Sequence, residues 1–184
     1  MRQYLENKSN TVVGLVDKNN SEIYKTKVVG DLGYNAGMEN IESKIIDNFK
    51  KVDFNSKDTL LNTFSKVWQN DKSWRIHIQK RLNENAIKDE FDYIQKTVDC
   101  LANSKEYILA KYKNSWDSVC YNDDRSWAVV FNEFGTVMTS YKISDELESF
   151  ENKYKRYEAK INKGKTDERF KRGFETIRDN IRLF

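Results

Sequence analysis

The chain has 184 residues, with 32 Lys/Arg against 29 Asp/Glu, one histidine, two cysteines and no proline. Its 38% hydrophobic and 13% aromatic residues can build a core, which excludes general disorder and collagen-like, mucin-like or proline-rich architectures. A net charge of +3 is too small for a nucleic-acid packaging protein, and the isolated Cys100 and Cys120 support neither a disulfide framework nor a Cys/His zinc site.

No stretch reaches the roughly 18 apolar residues that a membrane span needs, and Met1-Arg2-Gln3-Tyr4-Leu5-Glu6-Asn7-Lys8 has no apolar stretch of a secretory kind. The expectation is a cytoplasmic protein that makes no use of the membrane.

Thr11–Val16 is rich in β-branched residues, and Glu22–Val29 alternates apolar and polar residues around the turn cluster Asp17–Ser21. This predicts an N-terminal β-hairpin. Residues 38–51 place Met38, Ile41, Ile45, Ile46 and Phe49 at helical spacing. Ser56 or Asp58 can cap a second helix through Leu60, Leu61, Phe64, Val67 and Trp68. Residues 73–82 are short and mixed. Residues 85–102 repeat Ile87, Phe91, Ile94, Val98 and Leu101, with Asn103-Ser104 as a stop.

The period then changes to two. Tyr107–Tyr112, Ser118–Tyr121, Trp127–Phe131 and Thr136–Tyr141 read as strands, with Asn132-Glu133-Phe134-Gly135 as a tight turn. Ser144 opens a helical pattern with Leu147, Phe150, Tyr154, Tyr157 and Ile161; Gly164 interrupts it, and residues 167–183 form a last helix. The prediction is an α+β fold with helices packed on a small antiparallel sheet of three or four strands, an N-terminal β-hairpin and a C-terminal helical extension. The segments are 1–37, 38–143 and 144–184.

Two tempting motifs fail. Gly164-Lys165-Thr166 ends like a phosphate-binding loop, but Ala159 stands where its first glycine belongs. Asp17, Asn19 and Ser21 mimic calcium ligands, but Glu22 replaces the glycine of the sharp turn.

Two segments stand out together. Trp74-Arg75-Ile76-His77-Ile78-Gln79-Lys80-Arg81 holds the only imidazole among three cations. Trp127 to Lys142 is a strand–turn–strand ending Thr139-Ser140-Tyr141-Lys142. The pair resembles the barnase–EndoU–colicin–RelE group of ribonuclease toxins, in its phage- and mobile-element-associated branch. His77-Ile78-Gln79-Lys80-Arg81 follows that group's helical signature, and residues 127–141 follow its W-x-V-V-x-N-x-x-G-x-x-x-T-[AS]-Y pattern. The resemblance covers residues 73–143; Leu82 stands where relatives often carry a second histidine.

The resemblance implies a ribonuclease-like core and a metal-independent endoribonuclease toxin without cofactor. Its substrate would be RNA, with tRNA as one candidate, and its partner a cognate immunity or antitoxin protein. Such cleavage needs a base at the ribose 2′-hydroxyl, cations at the phosphorus and an acid at the leaving oxygen. His77 is the base candidate, with its pKa lowered by neighbouring cations. Arg75 and Arg81 can grip phosphate oxygens, Lys80 and Lys142 add point charges, and Thr139 and Tyr141 share a strand face toward the phosphate. Trp127 or Tyr121 can stack on a base.

Each of these residues also has an ordinary structural role open to it. A lone histidine often satisfies a local hydrogen bond, Trp127 and Phe131 suit a core, and Thr139 and Tyr141 are good β-formers. Residues 153–182 carry 11 Lys/Arg and 5 Asp/Glu, a surplus of 11 − 5 = 6 positive charges. That surplus suits RNA or merely an exposed helical face. The second reading is a non-catalytic RNA- or protein-binding module, or an assembly protein. An enzyme requires His77, Arg81, Thr139 and Tyr141 to converge.

Overall fold

The computed structural model describes residues 3–4, 12–16, 22–27, 32–112, 115–143 and 160–184, with side chains described in 41–110, 117–143 and 164–184. The chain divides into two compact units, Met1–Asn40 and Ile41–Phe184. The first holds an antiparallel sheet in the order β1 (Gln3–Tyr4), β2 (Val12–Val16), β3 (Glu22–Lys27). The expected hairpin is the β2–β3 pair, and β1 adds a third strand.

Helix α1 (Leu32–Phe49) runs into the second unit. There follow α2 (Lys57–Thr63), a 3-10 turn (Phe64–Val67), α3 (Asp71–Asn83) and α4 (Glu90–Ala102). Strands β4 (Ser104–Tyr112), β5 (Ser115–Asn122), β6 (Trp127–Phe131), β7 (Val137–Lys142) and β8 (Lys160–Lys165) precede α5 (Glu168–Ile181). The five strands form one antiparallel sheet, ordered β7-β6-β5-β4-β8. The unit is therefore α+β, with helices on a small sheet. Among the described residues, no helix is long and apolar enough to cross a membrane.

Helix α4 crosses one face of this sheet because its buried side Tyr93, Ile94, Thr97, Val98 and Leu101 recurs at three- and four-residue spacing. Ser140 fastens the two layers. Its carbonyl accepts from the Tyr93 hydroxyl at 2.8 Å, and its hydroxyl meets Thr97 Oγ1 at 2.9 Å. Behind α4 lies α5, whose Phe174 ring stands 4.7 Å from Phe49 of α1. Phe49, Phe64, Trp74, Tyr93 and Trp127 continue the contact ring to ring, edge-to-face, tilted or stacked, with centroids 5.4–6.3 Å apart. Each such pair adds about 0.5–1.5 kcal/mol beyond burial alone.

Several boundaries differ from expectation. Ser56, one of the two expected caps, does cap α2 and shares a capping box with Thr59, but the helix gives way to a 3-10 turn at Phe64 instead of running through Trp68. Helix α4 begins after Asp89 rather than at residue 85, because Asn85 takes a left-handed turn (φ 52°) that ends α3. The end of α4 agrees with the expected stop: Asn103 is the C-cap, and Ser104 starts a strand directly.

The largest correction is in the C-terminal extension. The Ser144 cap with Leu147, Phe150, Tyr154 and Tyr157 lies outside the described residues. Ile161 and Gly164, however, sit in strand β8. The open backbone edge of β4 captures this segment, pairing Ala110 with Ile161 and Tyr107 with Gly164. A weak helix former such as glycine yields readily to that tertiary demand. The sheet consequently has five strands rather than three or four. Gly164-Lys165 belongs to a strand rather than to a charged helix, and Thr166 turns inward to meet Ser104 Oγ at 2.9 Å.

Candidate functional site

Helix α3 owes its placement to both ends. The Asn70 side chain accepts from Ser73 N at 2.8 Å, and Asp71 in the first turn with Lys80 and Arg81 in the last complements the helix dipole. Just before it, Trp68 bridges Val137 in parallel and Gln69 N donates to Val137 O at 3.1 Å. This stitch sets the start of α3 beside β7.

Two periodicities then meet. His77 and Arg81 are four apart and share a face of α3; Thr139 and Tyr141 are two apart and share a face of β7. His77 Nδ1 and Thr139 Oγ1 are hydrogen-bonded at 3.2 Å. The Arg81 guanidinium lies over the Tyr141 ring, 5.6 Å from its centroid, a cation–π contact. Glu84 closes the group at the C-cap of α3, ion-paired with Arg81 and 3.8 Å from Lys80.

Burial is uneven. His77 is half-buried, and its pKa is held below 6.5, first by desolvation, then by Arg81 and Lys80. Arg81 is only 4% exposed, and its Nε is buried without a hydrogen-bond partner. Trp68, whose ring centroid is 6.4 Å from that of His77, likewise has an unpartnered buried Nε1. Lys80 is exposed.

The histidine pKa can be checked directly, since the chain carries one imidazole. Its proton resonances, followed against pH, should titrate with a midpoint below 6.5. Replacing Arg81 with methionine should move that midpoint upward. A midpoint at or above 6.5 in the unaltered protein would contradict the burial described here.

Not every predicted site residue joins this group. Arg75 precedes His77 by two positions, and two helical steps place it on nearly the opposite side of α3. It lines a separate polar groove with Ser65, Asp71, Gln79 and Glu90. Trp127 is buried, and its indole N–H donates to Ser140 Oγ at 2.6 Å, so it presents no face to a base. Tyr121 is also buried, with Arg125 over its ring and its hydroxyl donating to Glu106. Lys142 is exposed, but strand alternation sends it away from the face of Tyr141.

The sequence reading missed Glu84 and Trp68. Glu84 had a signal, since it stands three residues after Arg81 and four after Lys80, the spacing of helical ion pairs. Trp68 had none, because its place beside His77 comes from the β7 stitch.

Chemically, the group offers one titratable nitrogen pair beside a fixed cation. With Nδ1 held by Thr139, Nε2 is the nitrogen that has no hydrogen-bond partner among the described residues. Cys100 and Cys120 are buried and pushed well up in pKa by desolvation, so neither is a nucleophile. Among the described residues no group of three or more His, Cys, Asp or Glu could hold a metal ion.

A family model described as "Uncharacterised protein aq_aa01" matches residues 57–182, which include the whole of this group. A protein of Aquifex aeolicus (strain VF5) described as "Uncharacterized protein aq_aa01" is 34% identical over 110 residues, 56% of this chain and 80% of that one. No solved structure matches the chain.

Proposed function

We propose that this chain, which belongs to the aq_aa01 family of uncharacterised proteins, is a metal-independent endoribonuclease toxin of barnase–EndoU–colicin–RelE type. The observation that carries the reading is the contact of His77 Nδ1 with Thr139 Oγ1 at 3.2 Å, beside the Arg81–Tyr141 pair. In the tautomer whose Nδ1–H donates to Thr139, the lone pair lies on Nε2. That nitrogen takes the proton of a ribose 2′-hydroxyl as O2′ bonds to phosphorus. The P–O5′ bond breaks, leaving a 2′,3′-cyclic phosphate on one fragment and a protonated 5′-oxygen on the other.

The remaining roles follow from position around the ring. Thr139 acts on the ring rather than on the phosphate and is a positioning residue. Lys80 meets phosphate oxygens from the open side, and Arg81 supplies a fixed positive field from within. Tyr141, buried beneath the Arg81 guanidinium, is the acid candidate for the leaving oxygen. RNA, tRNA included, is the substrate class, a cognate immunity or antitoxin protein the partner, and the cytoplasm of a phage- or element-bearing cell the setting.

Burial of Arg81 and Trp127 favours a second reading, a non-catalytic RNA- or protein-binding module. The test is incubation of purified protein with total RNA in EDTA, followed by end-group analysis. Fragments ending in 2′,3′-cyclic phosphate support the enzyme. Tight RNA or protein binding with no fragments at high protein concentration supports the module.

A further inference from the structure

Glu84 sits against both cations that share the His77 face of α3. Its carboxylate lies against Arg81 Nη1 with one oxygen and 3.8 Å from Lys80 Nζ with the other. The two sides of this contact differ in freedom. Arg81 is 4% exposed and wedged over Tyr141, whereas the Glu84 side chain is 39% exposed. A guanidinium has five N–H donors in a rigid fork suited to carboxylate or phosphate. Here Nη1 is spent on Glu84, and Nε is buried with no partner at all.

We propose that Glu84 is an internal counter-ion that the phosphodiester of a single-stranded RNA displaces, and that it sets the anion affinity of the Arg81–Lys80–His77 site. The carboxylate is the partner that can leave. Rotating it into water restores its hydration, while Arg81 stays fixed by its packing. The phosphate then takes the place of the carboxylate at Arg81 Nη1, with the point charge of Lys80 and, on the same helix face, the imidazole of His77. Without ligand, Glu84 keeps the buried guanidinium compensated, which an unpaired buried charge would need. The proposal rests on the ribonuclease reading for the identity of the ligand, but its anion chemistry does not require cleavage.

The test compares the full chain with Glu84→Gln and Glu84→Asp, titrated with inorganic phosphate and with an uncleavable 2′-deoxy oligonucleotide. Glu84→Gln should bind both at least five-fold more tightly, because the competitor is gone, and Glu84→Asp should stay within about two-fold of the original, a ceiling set well below the ten-fold that 1.4 kcal/mol represents. Unchanged or weaker binding by Glu84→Gln would overturn the proposal. Tightening for inorganic phosphate alone would overturn the assignment to an RNA strand.

Should Glu84→Gln fail to fold, the unaltered protein serves. Phosphate must then shift the Arg81 Nε–H resonance, and a resonance indifferent to saturating phosphate would sink the idea. The two readings fail separately. Displacement without RNA cleavage removes the nuclease and leaves the counter-ion, and cleavage with indifferent Glu84 variants does the reverse.

Discussion

Replacing Gly135 with alanine is expected to lower stability by about 3 kcal/mol or more, read as a fall in the urea midpoint. Two costs add. Gly135 has φ +71°, where an L-residue pays roughly 1–2 kcal/mol. A Cβ there would also stand 2.7 Å from Ile45 N and Lys44 C, and these are backbone atoms of a helix that cannot rotate aside. Overpacking of this kind costs typically 1–3 kcal/mol.

The turn is clamped from the same side. Lys44 Nζ donates to Glu133 O at 2.9 Å, and Asn48 Nδ2 donates to Phe134 O at 3.0 Å. Shifting the turn to admit a methyl would break both bonds. Gly173 provides the contrast within α5: a Cβ there meets nothing within 4 Å. Gly173→Ala should raise stability by about 0.5–1 kcal/mol. Equal responses at the two glycines would show that the β6–β7 turn does not press on α1.

That contrast shows what a sequence can reveal about such a fold. The strand–turn–strand from Trp127 to Tyr141 was legible because its signals are local, with alternation on each strand and Asn132 to Gly135 between them. Asn132 does close the turn, with its Oδ1 accepting from Phe134 N and Thr136 N at 3.0 and 3.1 Å. That Gly135 must remain glycine because α1 leans on it is a contact across about ninety residues, with no local trace.

Strand β8 was illegible for a related reason. Lys160–Lys165 has no strand pattern of its own and takes its conformation from the free edge of β4. At the site, spacings of four on a helix and two on a strand each define a face, whereas the meeting of His77 with Thr139 was an expectation carried by the resemblance alone. Which cations join them depended on burial and helix phase, and those turned Arg81 inward and Arg75 to the other side.

If His77 is the base of the proposed ribonuclease, replacing it with alanine should lower the rate of RNA cleavage about 10²–10⁴-fold, the usual contribution of one general base. Little else should change. The loss leaves the half-buried Thr139 hydroxyl without its ring partner, at a cost of about 1 kcal/mol, so the circular dichroism should match that of the parent. Thr139→Val should be milder and should alter the pH profile, because in the proposed mechanism Thr139 holds the ring without touching the phosphate.

The pH dependence follows from the sign of the shift. The folded pKa of His77 lies below 6.5, so the neutral, base-competent form persists to lower pH than in a free histidine. On the acid side kcat/KM should climb with pH and level off with a midpoint below 6.5. Stability follows the same direction. The unfolded chain binds the proton more readily, so the contribution of His77 is complete above 6.5 and declines as pH falls from 6.5 toward the folded pKa. Removal of His77 should therefore flatten the stability curve in that window as well as abolish the acid limb. A His77→Ala protein that still cleaves at the parental rate, or an acid limb centred above 6.5, would leave the imidazole without a part in the reaction. The Thr139 contact would then be one more hydrogen bond that ties a helix to a sheet edge.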